Sequence, residues 1–350
     1  MKSNRLLSLD AFRGYTIALM IIVNDPGDWD NTFSTLLHAK WNGITLADFV
    51  FPFFIFIVGV SIVLSQKNNG TSSSSLKILI RSCKIFLLGV CINVIGKLLS
   101  DVVGAGESFT LSDIRIPGVL QRIAIVYFVC AFLFNKTDWL QQLIIMVGIL
   151  ISYYVAMTFV FVPGIGVGVL EPGKNLAAYI DNLFIPGTLW QGTWDPEGIL
   201  STFPAIATGI SGMLAGHLII SSLTIERKII WMFLLGVACL LDSFIWEWLM
   251  PINKNLWTST YVMFTSGWAY LILACSIWLC DVLNFRKGIR FGIIFGSNSI
   301  VIYAISYLLV WFFYDAPLLG NQSINDLIYG GMVSLGIYAK IASLIWAILY

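Results

Sequence analysis

The chain holds two histidines, and one of them, His38, stands just before Trp41-Asn42-Gly43 in the segment that joins two strongly apolar runs. An imidazole changes charge near neutral pH, so proton transfer or acyl transfer is the chemistry such a residue suggests. Asn24 closes the apolar run before His38, and Asp48 opens the run after it. A carboxylate accepting from one ring nitrogen fixes the tautomer and leaves the other nitrogen able to take a proton. His38, Asn24 and Asp48 are therefore the candidate catalytic set. A first-turn helix charge for Asp48 and a helix C-terminus for Asn24 are the competing readings. The other histidine, His217, near the end of a later run, is read as inert.

The elements that must position this set are set by composition. A hydrophobic share of 58%, a charged share of 11% and a mean hydropathy of +0.86 exclude a water-exposed globular surface. The expected fold is an all-α integral membrane protein, a single domain over residues 1–350. Thirteen Trp, thirteen Tyr and thirty Gly agree, because aromatic rings favour the membrane interface and glycines let helices approach closely. A net charge of +1 gives no sign of nucleic-acid binding. The six cysteines lie inside apolar runs at irregular spacing, which suggests neither a disulfide framework nor a metal site.

A spanning helix needs roughly 20 mainly apolar residues. About ten such runs are predicted, near residues 7–24, 45–65, 77–100, 117–135, 139–162, 198–220, 228–250, 256–281, 290–314 and 332–350. No signal-peptide cleavage pattern follows the first, so it is expected to remain as a helix. Lys2, Arg5, Lys67, Lys77, Arg81, Lys84, Lys136, Arg227, Lys228, Arg286, Lys287 and Arg290 fall on one side of this plan; Asp25, Asp28, Asp30, Asp101, Glu107, Glu171, Asp181, Asp195, Asp315 and Asp326 fall on the other. The positive-inside rule then puts both termini in the cytoplasm and His38 outside, which in a bacterial inner membrane is the periplasmic face. Ser72 to Ser75 read as an inner linker. Asp195-Pro196-Glu197 reads as a helix start with Asp195 as N-cap. Ala205, Gly209, Gly212 and Gly216 form a small-residue stripe suited to close helix contact, and such stripes leave room for a homodimer.

Ionisable groups in spanning segments are costly and so are functional candidates. Asp10 and Arg13 lie three positions apart and can pair. Alternatively, Arg13 serves an anionic cofactor entering from the cytoplasm, as Arg81 and Lys84 would for diphosphate groups. Asp113, Arg115, Gln121 and Arg122 surround a Pro117-Gly118 helix start, where they would hold a sugar by its hydroxyls or brace a loop. Asn253, Asn255 and Trp257 occupy an outer turn. Asn298 lies within a run and is expected to face the bundle. Lys340, inside the last run, has no evident partner.

Six segments recur together in one known set: Ser8-Leu9-Asp10-Ala11-Phe12-Arg13-Gly14, His38 to Gly43, Ala47 to Pro52, Arg115 to Arg122, Asp195 to Gly198, and Asn253 to Trp257. On these the chain resembles the heparan-α-glucosaminide N-acetyltransferase family of lysosomal and bacterial membrane proteins, in family order from residue 8 to about 300. The resemblance implies transfer of an acetyl group from cytosolic acetyl-CoA to a glucosamine-type amine on the far side of the bilayer. It maps the active-site histidine onto His38 and a nearby asparagine onto Asn24. Beside that mapping, the residues themselves offer candidate acetyl-CoA contacts at Arg13, Arg81, Lys84 and Asn298, and candidate acceptor contacts at Trp41, Asn42, Arg115, Gln121, Arg122, Glu197, Asn253, Asn255 and Trp257. The chain lacks the long lumenal N-terminal portion of the animal enzyme, its Asn24–His38 loop is acidic and of different length, and it ends at Tyr350 without the basic tail expected of a full C-terminus. Two rival readings are an amino-sugar permease and a membrane O-acyltransferase acting on a cell-envelope glycan, whose Leu-Asp-x-x-Arg-Gly opening is similar.

Overall fold

A computed structural model describes residues 6–69, 74–102, 110, 114–285, 287–317 and 322–350. Asp113 and the Ser72–Ser73 part of the proposed linker lie outside the described residues. Among the described residues the regular structure is helical, apart from three isolated bridges. In chain order the helices are α1 (Leu7–Asn24), α2 (Val50–Asn69), α3 (Ser75–Val102), α4 (Val119–Lys136), α5 (Trp139–Phe159), α6 (Leu176–Phe184), α7 (Ile199–Ile220), α8 (Ile225–Trp246), α9 (Ser259–Ile277), α10 (Ile289–Ser297), α11 (Ser299–Val310), α12 (Ile324–Ser334) and α13 (Ala339–Leu349). A 3₁₀ turn, Leu46–Phe49, leads into α2, and π-helical turns extend α9 and α11.

Among the described residues, eight helices are long and apolar enough to cross a bilayer. The sequence runs and the helices agree through α9, apart from the nine-residue α6, which lies in the connection expected between the fifth and sixth runs, and diverge after it. The ninth run is broken into α10 and α11, which meet at 80° across Asn298, so it counts as one span only as a bent pair. The tenth is split, because Gly336 takes φ +88° between α12 and α13. With 11 residues, α13 covers about 16 Å at 1.5 Å per residue, short of a hydrocarbon core of about 30 Å.

Small residues set the closest helix contacts. A methyl group added to Gly212 on α7 would collide with the backbone carbonyl of Phe56 on α2, and one on Gly59 of α2 would strike the carbonyl of Gly209. The predicted stripe is therefore covered within the chain rather than left for a second copy. Gly14 of α1 meets Gly292 of α10 in the same way. Around the α2–α7 seam a core of Phe51, Ile55, Val126, Ile210, Met213, Trp257 and Tyr261 is buried. The seam holds the start of α2, and with it Asp48, against α7 and α9.

Candidate active site

Four connections converge at one end of the bundle. Trp41 Nε1 donates to the carbonyl of Leu170 at 2.8 Å and its ring meets Trp194 edge-on, tying the α1–α2 loop to the long α5–α7 connection. Asn253 Nδ2 donates to Asn42 Oδ1 at 3.0 Å, and Gly43 N to the carbonyl of Ile252 at 2.8 Å, tying the same loop to the α8–α9 connection. Arg115, before α4, reaches Asp195.

His38 sits where these loops meet. Its Nδ1 lies 2.8 Å from Asp48 Oδ1, as the residue types suggested. The carboxylate is buried, at 1% side-chain exposure, whereas the ring is 43% exposed. Asp48 fills both of its expected roles at once, because its other oxygen caps the 3₁₀ turn. Oδ2 accepts from Thr45 N at 2.9 Å, Thr45 Oγ1 at 3.1 Å and Ala39 N at 3.1 Å. Tyr261 Oη donates to the Asp48 carbonyl at 2.6 Å, fixing the turn from α9. An acceptor so constrained holds the Nδ1–H tautomer of His38 and leaves Nε2 with a lone pair.

Lys254 was missed by the sequence reading, which passed over it between Asn253 and Asn255. Its Nζ lies 2.9 Å from His38 Nδ1, 3.2 Å from His38 Nε2 and 3.5 Å from Asp48 Oδ1. An Asx turn presents it: Asn253 Oδ1 accepts from Leu256 N at 2.9 Å, and Trp257 N donates to the carbonyl of Lys254 at 3.0 Å. Trp257 closes that turn with a left-handed backbone, φ +53°, held by burial and by its Nε1 bond to Thr208 Oγ1 at 3.1 Å. Burial pushes the Lys254 ammonium below the ordinary lysine range, against the pull of Asp48 and Glu197. The only advance signal was its place in a motif beside two residues already suspected. Asn255, in the same turn, makes no hydrogen bond among the described residues.

A second polar layer lies beside this centre. Arg115 forks onto Asp195 at 2.7 and 2.6 Å, pairs also with Glu197, and stacks on Trp190 at 5.0 Å. Burial raises the Asp195 carboxyl, and Arg115 more than offsets it, holding the group below the usual carboxylate range. Asp195 is therefore not the N-cap of α7. The helix begins at Ile199, with Gly198 at the cap position, and Asp181 of α6 accepts from Ile199 N at 2.8 Å. The two oxygens of Asp195 are taken by the Arg115 fork and by the backbone N–H groups of Glu197 and Trp190, at 2.9 and 3.0 Å, which leaves the N–H at the helix start to another carboxylate. Arg122 is buried, bonds Ser201 Oγ and the carbonyl of Gly198, and lies over Trp257 at 5.0 Å. Its Nε and Nη1, with Gln121 Nε2, are buried donors without an acceptor among the described residues.

The remaining candidates are placed as follows. Asn24 ends α1, exposed, and no hydrogen bond joins it to His38 among the described residues. Arg13 is engaged inside the bundle, by Asp10 Oδ1 and the carbonyl of Gly296, each at 3.3 Å, and by Ser61 Oγ at 2.8 Å. Arg81 and Lys84 are exposed on α3, the former over Tyr127 at 4.9 Å. Asn298 does not face the bundle. It is exposed at the α10–α11 break and bonds the carbonyl of Ile294 at 3.0 Å, because a helix ending there leaves carbonyls that its amide satisfies locally. His217 bonds Gln142 Oε1 at 3.1 Å and stacks on Phe134, a packed and satisfied ring.

Fold and site together define a multi-span helical membrane protein with a histidine–carboxylate centre at one end of its bundle. Residues 5–229 match the family model described as heparan-alpha-glucosaminide N-acetyltransferase, catalytic. The chain belongs to that family. It is 32% identical to the heparan-alpha-glucosaminide N-acetyltransferase of Mus musculus over 98% of its length, which spans 60% of the mouse protein. The Homo sapiens protein of the same name is also 32% identical, over 98% of this chain and 59% of the human one. The chain thus spans about three fifths of the length of these curated relatives.

Proposed function

We propose that the chain is a transmembrane N-acetyltransferase that takes the acetyl group of acetyl-CoA at the cytoplasmic face and places it on the amine of a glucosamine-type sugar at the opposite face. The observation that carries this reading is the His38–Asp48 pair, an oriented imidazole set at the end of a bundle whose family is named for acetyl transfer. The setting is the inner membrane of a bacterium with both termini in the cytoplasm, as the distribution of lysine and arginine suggests.

His38 acts as general base toward the acceptor amine, or takes the acetyl group on Nε2 in two half-reactions. Asn24, whose amide carries no hydrogen bond among the described residues, donates to the developing oxyanion, a role that can supply about 10²-fold in rate. The unsatisfied donors of Gln121 and Arg122 suit oxygen acceptors of a substrate, and they are the structural fit for the hydroxyls and carbonyls the two substrates carry. Trp41, Asn42, Arg115, Glu197, Asn253, Asn255 and Trp257 shape the acceptor side. Arg13, Arg81, Lys84 and Asn298 are the groups offered to the nucleotide. Of these, Arg81 and Lys84 have exposed cations that match phosphate.

Purified protein in nanodiscs, given acetyl-CoA and a panel of amino sugars, is expected to form an amide identifiable by mass spectrometry. His38→Ala is expected to lose at least about 10²-fold in turnover. Undiminished turnover in that variant overturns the assignment, and an ester product moves the chain to the O-acyltransferase reading.

A further inference from the structure

Lys254 stands in a position that a salt-bridge partner for Asp48 does not need. It is closer to both ring nitrogens of His38, at 2.9 and 3.2 Å, than to the carboxylate, at 3.5 Å. Being near both nitrogens of one ring, Nζ lies over the face of the imidazole rather than in line with the in-plane lone pair of Nε2, while Nδ1 faces Asp48. The resting base thus has an ammonium against its face, close enough for the charge of either side chain to act on the other. The charged and titratable groups around the pair are few: Asp48 from the 3₁₀ turn, Tyr261 behind it on α9, and the carboxylate of Glu197, whose charge acts on Lys254 from the α6–α7 connection.

An imidazolium formed at this distance from an ammonium would be strongly repelled, since two like charges in a partly desolvated site interact far more than in water. His38 can accept a proton readily only as Lys254 releases its own. We propose that His38 and Lys254 share one labile proton, and that Lys254 is the acid that protonates the departing sulfur of the donor thioester. This rests on the acetyl-transfer reading above.

The bookkeeping of atoms closes without any further reagent. The acceptor amine nitrogen bonds to the acetyl carbon, and His38 Nε2 takes the amine proton. The carbon–sulfur bond breaks with its electron pair on sulfur, and Lys254 Nζ delivers its proton there. The imidazolium proton then returns, directly after a turn of the lysine side chain or through solvent, to the neutral Nζ, restoring both side chains. Lysine suits this task and arginine does not, because a guanidinium stays protonated in proteins.

The chain's two histidines make the test direct, since one ring reports the site and His217 serves as an internal control for the fold. Full-length protein labelled with ¹⁵N-histidine in nanodiscs is titrated by NMR without donor or acceptor, as wild type, Lys254→Met and Lys254→Arg. The Met variant, which removes the neighbouring positive charge, is expected to move the His38 midpoint to higher pH than in wild type, and the Arg variant to leave it in place, while His217 stays fixed. In turnover both variants are expected to lose about 10²-fold in kcat with little change in KM for acetyl-CoA. Wild-type kcat in Lys254→Arg, or an unmoved His38 midpoint in Lys254→Met with His217 intact, overturns the proposal. If wild type itself transfers no acetyl group, the functional reading fails, and the titrations still decide whether the two side chains are coupled.

Discussion

At the scale of single residues, the site places carboxylates in opposite conditions. Asp195 is ion-paired and held below the usual carboxylate range, whereas Asp181, buried on α6 with its charge unpaired by any cation at hydrogen-bond distance, is pushed up to about 6, chiefly by burial and then by the neighbouring Asp195 charge. A carboxyl whose folded value is raised stabilises the fold below its unfolded value, near 3.8, and that contribution is lost as pH rises through about 6. Asp181→Asn keeps an oxygen for Ile199 N and removes the titration. Thermal midpoints of both proteins in detergent should therefore diverge between pH 4 and 7, the wild type falling relative to the variant by the equivalent of about 2 kcal/mol. Parallel curves would show that Asp181 does not titrate in that window. His38 and Asp48 were legible in the sequence because a rare residue type stood ten positions from a carboxylate at a helix start. Lys254 was not, because an ammonium in a polar turn looks solvated until the turn is folded. The cap of α7 was misjudged for a related reason: local spacing favours Asp195, but the deciding competitor, Arg115, lies 80 residues away.

At the scale of elements, the apolar runs foretold the spanning helices among α1 to α9 well, since length and hydropathy are what a bilayer selects, but not the short α6, which lies in the long connection after α5. They did not foretell the breaks in the last two runs, where the chain stays apolar while Asn298 and Gly336 interrupt the helix. Helix pairing is governed by backbone approach. At Gly212 a side chain would meet the backbone carbonyl of Phe56, which cannot rotate away, and α2 would have to shift and carry Asp48 with it. Gly212→Val is therefore expected to cost about 1–3 kcal/mol, read as a lower thermal midpoint, and to reduce turnover beyond the loss of folded protein. Gly330→Ala on α12 is the matched control. A methyl group there meets nothing within 4 Å, so the change should be neutral or slightly stabilising. Equal effects at both positions would mean that the α2–α7 seam does not position the site.

At the scale of the whole molecule, the proposed reaction requires that one end of the bundle face the acceptor and the other the donor. The loops before α2, before α4, between α5 and α7, and between α8 and α9 meet at the His38 end, so the connection between α7 and α8 lies at the opposite end. Charge follows that division: Arg227 and Lys228 stand at the end away from His38, and acidic residues such as Asp28, Glu171 and Asp195 at its own. If the basic end is retained in the cytoplasm, His38 faces outward and the acetyl group must cross the bundle. Lys40 and Arg227 are both exposed and sit at the two ends, which makes them the reporters of choice. In a background with the six cysteines replaced, a cysteine at position 40 should react with a membrane-impermeant thiol reagent applied to intact spheroplasts, and one at position 227 only after permeabilisation. Inverted vesicles should exchange the two patterns. The reverse result would put His38 on the same side as cytosolic acetyl-CoA, and a transfer across the membrane would then have no role in the chemistry.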